Sequence, residues 1–154
     1  MQFLGNIEAK IDAKARVFVP ASFRKILQSA DQSALILRKD IYQNCLVLYP
    51  VAVWDEEVAY LRSRLSRWDK AQQAVFRQFV IDAERVEIDN NGRILIPKRY
   101  LQMMGITSEV RFLGVDNTIE IWTKESLDGS LIAADDFSTQ KQQLMNNELN
   151  ADKY

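Results

Sequence analysis

Residues 12–23 read DAKARVFVPASF, and residues 89–100 read DNNGRILIPKRY. Both stretches run Asp, three residues, Arg, three apolar residues, Pro and, three positions later, an aromatic, with every matched pair 77 positions apart. Solenoid repeats have periods of about 20 to 50 residues. A period this long indicates one unit written twice, over residues 1–50 and 79–124.

Upstream of each Asp, apolar and polar residues alternate: Ile7, Ala9 and Ile11 with Glu8 and Lys10, then Val86 and Ile88 with Glu87. That period belongs to a half-buried strand. A polar link, Asp12 to Ala15 or Asp89 to Gly92, leads into a β-branched and aromatic run, VFV or ILI. Strand, tight loop and strand make a hairpin. The proline ends the second strand, and its fixed φ and missing N–H suit the first helical position. Helices are therefore predicted over residues 20–28 and 97–104, the latter stopped by Gly105. Two more strands close each unit, at 35–37 and 46–49 and again at 110–113 and 119–122, with Asp116 and Asn117 supplying turn chemistry.

Residues 51–78 separate the copies. Trp54, Val58, Leu61, Leu65 and Trp68 are spaced by four, three, four and three, the stripe of an amphipathic helix. Asp69 is placed to cap a second helix, with Gln72 completing a capping box and Ala71, Val75 and Phe79 on one face. A linking helical hairpin is expected, its stripe serving core or subunit contact and its Arg62, Arg64, Arg67, Lys70 and Arg77 solvated. The acidic tail, 125–154, is compatible with a short helix near 136–149 or with a mobile segment.

The 154 residues suffice for one ordinary domain, or two small lobes sharing a core. There is neither an apolar window near the roughly 18 residues of a membrane span nor a secretory start, so a cytoplasmic protein is expected. The single cysteine, Cys45, precludes an intrachain disulfide and sits among Leu46, Val47 and Leu48 as a small core residue. Histidine is absent, which removes the commonest general base and zinc ligand. The pairs Glu56-Glu57 and Asp135-Asp136 are adjacent in sequence and do not converge on one point. No phosphate-binding glycine loop or nucleophile elbow is written. No catalytic residue, metal site or cofactor is expected. The net charge of −1 conceals segregation: residues 1–30 carry five cations against two acids, whereas 125–154 carry six acids against two cations.

IEAKIDAKARVFVPASFR, RKDIYQNCLVLYP and NNGRILIPKRYL resemble the MraZ proteins of the bacterial division and cell-wall gene cluster, over nearly all of residues 1–124. The resemblance implies an α+β fold of duplicated AbrB-like swapped-hairpin lobes with a small β-barrel-like core. It implies a transcriptional regulator, associated with the nucleoid, that assembles into a ring-shaped homo-oligomer. It would bind double-stranded DNA at repeats in the promoter of its own cluster, with no membrane or small-molecule partner. The DNA-contacting positions it implies are Asp12, Lys14, Arg16, Asp89 and Arg93. Two positions depart from the family pattern. Ala15 stands where a glycine is typical, and an alanine there at positive φ carries about 1 kcal/mol of strain, leaving open a different turn in the first loop. Asn91 stands where the first copy has Lys14.

Arginine at a hairpin tip suits this role, because its planar fork reads guanine O6 and N7, a contact worth about 1 to 3 kcal/mol of discrimination. Lys14 and the helix residues Arg24, Lys25, Lys98 and Arg99 are candidate phosphate contacts, which position without specifying. As single residues, the helix cations fit an ordinary solvated face better. Chemistry alone leaves a second reading open, in which each Asp–Arg pair merely staples its own hairpin. An AbrB-fold antitoxin or interaction scaffold, its acidic tail binding a partner, is the alternative function.

Overall fold

The prolines set the boundaries of the fold. Pro20, Pro50 and Pro97, all the prolines of the chain, stand immediately before a helix with φ between −51° and −56° and ψ between 138° and 143°. Each is the N-cap, not the first helical residue: the ring fixes φ, and the extended ψ still belongs to the preceding strand. In this computed structural model, which describes residues 1–151, the first copy forms β1 (Phe3–Lys10), β2 (Arg16–Phe18), α1 (Ala21–Ser29), β3 (Ala34–Lys39) and β4 (Leu46–Pro50). The second forms β5 (Glu84–Glu87), β6 (Arg93–Leu95), α4 (Lys98–Met104), β7 (Glu109–Asp116) and β8 (Thr118–Trp122). Helices α2 (Val51–Ser63) and α3 (Lys70–Ile81) join them, and α5 (Lys124–Ser130) and α6 (Ala134–Ala151) follow. The last three residues of the expected tail segment lie outside the described ones.

The strands interleave. A six-stranded antiparallel sheet has the order β1-β7-β8-β4-β3-β5, so the first strand of each copy joins the third strand of the other. Phe3 to Lys10 pairs in full register with Asp116 to Glu109, and Ala34 to Leu37 with Glu87 to Glu84. A separate two-stranded ribbon joins β2 to β6. The expected barrel does not close: β1 reaches β2 only through the single bridge Ile11–Val17, and the open sheet ends at β1 and β5. Pro20 and Pro97 explain this, because each diverts its strand into a helix after three ladder residues, too short a run to seal the seam.

Period-two alternation divides the sheet into two packed faces. Leu35, Leu37, Leu46, Leu48, Phe112, Ile119 and Ile121 face one core with Val17, Val19, Ile94 and Ile96 of the ribbon and Phe23, Leu27, Tyr100 and Met104 of α1 and α4. Many of these are matched pairs of the duplication. Phe23 and Tyr100, the aromatics of the repeat, are fully buried, and Phe23 sets its ring edge-on to Phe3 with centroids 5.6 Å apart. On the opposite face Cys45, Val47 and Trp122 pack with Leu127 of α5; burial pushes the Cys45 thiol far above its usual range.

The linking hairpin departs from its reading in three ways. Helix α2 stops at Ser63, so Leu65 and Trp68 leave the stripe, and Trp68 is 91% exposed. Asp69 caps α3 as expected, accepting from the Gln72 N–H at 3.1 Å, but the Gln72 side chain accepts from Ser66 N–H instead of closing a capping box. Of Ala71, Val75 and Phe79 only Phe79 packs inward, stacked on Trp54 at 5.2 Å. Arg38 fixes this contact to the sheet: its Nε donates to the Phe79 carbonyl at 2.7 Å and its guanidinium lies 4.6 Å from the ring centre.

Candidate nucleic-acid interface

The two Asp-x-x-x-Arg loops have the same geometry. Asp12 Oδ1 accepts from the N–H groups of Lys14 and Arg16, both at 2.9 Å, and Oδ2 accepts from Arg16 Nε at 2.9 Å. Asp89 Oδ1 accepts from Asn91 and Arg93 N–H, both at 2.9 Å, and Oδ2 from Arg93 Nε at 3.0 Å. The backbone closes each loop alike, Asp12 N–H donating to the Arg16 carbonyl and Asp89 N–H to that of Arg93. The residue before each arginine has positive φ, 63° for Ala15 and 87° for Gly92. The alanine does not turn the first loop differently. Three donors converging on one carboxylate hold Ala15 in the left-handed region despite its Cβ.

These donors also act on the charge. The Arg16 backbone N–H, and after it the Lys14 N–H and the Arg16 guanidinium, hold the Asp12 carboxyl below the usual carboxylate range, against a smaller opposing effect of desolvation. The Arg93 and Asn91 N–H groups and the Arg93 guanidinium do the same for Asp89. Each aspartate is engaged through the arginine's Nε. Among the described residues neither arginine's terminal Nη groups donate to the protein, so the end-on fork stays free.

The ribbon places the arginines together. Arg16 pairs with Leu95, Val17 with Ile94 and Phe18 with Arg93. Paired residues point to one side and neighbours alternate. Val17 and Ile94 enter the core, so Arg16, Phe18, Arg93 and Leu95 share the outward face. The Arg93 guanidinium lies 5.8 Å from the Phe18 ring centre. Each loop is also tied to the opposite copy, Val19 N–H donating to the Gly92 carbonyl and Ile96 N–H to that of Ala15.

The remaining candidates are dispersed. Lys14 is exposed at the tip of the first loop, Lys25 on α1 and Lys98 on α4. Arg24 is half-buried: its Nη1 donates to the Val19 carbonyl at 3.0 Å, and its guanidinium lies where a Cβ on Gly92 would sit, bracing the second loop. Arg99 is engaged too, its Nη2 lying 3.0 Å from Glu84 and 3.2 Å from both the Asp82 carbonyl and the Tyr100 hydroxyl. The structure therefore brings Asp12, Arg16, Asp89 and Arg93 onto one ribbon and leaves the helix cations apart. Phe18 and Leu95 were absent from the sequence reading, which took VFV and ILI as wholly apolar runs. Their alternation was the available signal, since only the outer residues of each triplet can face the core.

Among the described residues no cluster of three metal-ligating side chains occurs, and no helix is long and apolar enough to cross a membrane. The family model for the MraZ protein, described as antitoxin-like, matches the chain twice, at residues 2–78 and 79–147. The chain is similar to a "Transcriptional regulator MraZ" of Bacteroides thetaiotaomicron, 53% identical over 96% of this chain and 95% of that protein. It is also similar to proteins of that name from Phocaeicola vulgatus, 57% identical over 94% of each chain, and Shewanella oneidensis, 34% identical over 80% and 81%.

Proposed function

The chain belongs to the MraZ family, whose curated members are named as transcriptional regulators and not as enzymes, and from that premise we propose that it is a sequence-specific DNA-binding regulator. The observation that carries the reading is the ribbon face: two arginines, each held at Nε by its own aspartate, present free Nη forks on one surface. A major groove admits a two-stranded ribbon, and an end-on guanidinium fork matches guanine O6 and N7. The Cα atoms of the two arginines are diagonal neighbours, about 7–8 Å apart, close to two base steps of about 3.4 Å each. Asp12 and Asp89 orient. Lys14, Lys25 and Lys98 supply phosphate contacts, while Arg24 and Arg99 add to the field from braced positions.

The wider reading follows the family. The two copies, 1–50 and 79–124, act as AbrB-like swapped halves joined by 51–78 and followed by the tail, and copies of the chain assemble into a ring. Exposed Ile41, Tyr42, Tyr60 and Val75 beside Phe79 form an apolar groove that supports self-association. Assembly multiplies weak loop contacts into avidity along promoter repeats of the division and cell-wall cluster, on the nucleoid. Binding of the purified protein to DNA from upstream of its own gene, against scrambled DNA between about 50 and 200 mM salt, tests this. Preference for the upstream fragment, weakening steeply with salt, is expected; equal or absent binding by folded protein would overturn it.

A further inference from the structure

We propose that Phe18 and Leu95 read sequence by apolar contact with thymine C5-methyl groups in the major groove, beside the two arginines. The inference rests on the DNA-binding reading above and adds specificity-determining residues to it. Both side chains are large, apolar and more than half exposed, at 55% and 57%. Their neighbours Val17 and Ile94 on the same strands are completely sequestered. The register sets each opposite an arginine, Phe18 across from Arg93 and Leu95 across from Arg16. The outer face is thus a four-residue lattice of two forked cations and two apolar knobs.

Two exposed apolar residues side by side on a three-rung ribbon offer a contact surface, and the charge beside them points to its occupant. A second copy docked face to face on this ribbon would set Arg16 and Arg93 against the same two residues, a like-charge juxtaposition that disfavours that two-fold contact. A base edge offers complementary chemistry, since guanine presents acceptors to the forks and thymine presents the major groove's one methyl group to the knobs. The duplication is also asymmetric here: the first copy places a phenyl ring and Lys14, the second an isobutyl group and Asn91. The two ends of the ribbon therefore favour different neighbouring bases, the larger contact lying with Phe18.

The test compares the upstream DNA fragment with the same fragment prepared with uracil in place of thymine, which removes only the methyl groups. Binding of the intact protein is expected to weaken about fourfold for each contacted methyl, the equivalent of one buried methylene. In Phe18→Ala and Leu95→Ala proteins the ratio between the two DNAs is expected to fall toward one, with Phe18→Ala showing the larger fall. Melting temperature and particle mass, measured alongside, are expected to stay at their original values because neither side chain is buried. Equal affinity of the intact protein for both DNAs, or a uracil penalty that persists in both variants, overturns the inference and leaves the regulator reading intact. A change in particle mass with an unchanged ratio also overturns it, assigning the face to contact between copies. Failure of the intact protein to prefer either fragment over scrambled DNA overturns the regulator reading together with the inference.

Discussion

Ala15 and Gly92 occupy equivalent positions, with φ 63° and 87°, but opposite tolerances. A side chain in the left-handed region is strained by about 1 to 2 kcal/mol, while glycine adds unfolded-chain freedom worth about 0.4 to 1 kcal/mol. Ala15→Gly is therefore expected to raise stability, by up to about 1.5 kcal/mol, in chemical denaturation. Gly92→Ala is expected to lower it, because an alanine at φ 87° is strained and its Cβ would fall on the Arg24 guanidinium and displace the brace on the loop. The aspartates add a pH dependence. Their folded-state pKa values lie below the unfolded ones, so each stabilises its loop above the ordinary carboxylate range and loses that effect as pH falls through the depressed value. Exchange of the Lys14, Arg16, Asn91 and Arg93 amides, normalised for intrinsic pH dependence, is expected to accelerate below that range. In Asp12→Asn protein the first loop is expected to lack this response.

Among the elements, sequence legibility followed the strength of local rules. The first strand of each copy was readable from alternation and the second from its β-branched and aromatic run, and the helix starts were readable to within one residue from the prolines, because φ restriction acts locally. The linking hairpin was less so. A four-three spacing continues through Trp68, yet α2 ends at Ser63 and Trp68 stands in solvent; the spacing carries no information about where the sheet surface beneath it ends. The Asp–Arg staples were legible as an even choice, while the orientation of the ribbon was not, since it depends on pairing β2 with β6 across 77 residues. The order of the sheet was not reached from the sequence, and the barrel-like core implied by the family resemblance gives way to an open sheet. At this scale, Asp69→Ala removes the one side-chain cap of α3 and is expected to cost about 1 kcal/mol in denaturant unfolding. Trp68→Ser is expected to leave stability unchanged within about 0.5 kcal/mol.

For the whole molecule, the interleaving matters more than the duplication. Strand β1 pairs with β7 over eight residues and β5 with β3 over four, so neither copy has its full sheet without the other. Unfolding followed by tryptophan fluorescence and by backbone circular dichroism is expected to give coincident transitions; separate transitions would mean the halves are independent. The same interleaving brings Arg16 and Arg93, one from each copy, to the two ends of one ribbon. On the proposed reading, DNA contact is thereby a property of the pair of copies. A double-mutant cycle on Arg16→Ala and Arg93→Ala, read as Kd for the chain's own upstream DNA at one fixed salt concentration and with matched melting temperatures, tests this most directly. Each single substitution is expected to weaken binding by about 1 to 3 kcal/mol, and the double substitution by more than either. Single and double variants that bind as tightly as the intact protein would contradict the account, leaving both Asp–Arg motifs as hairpin staples.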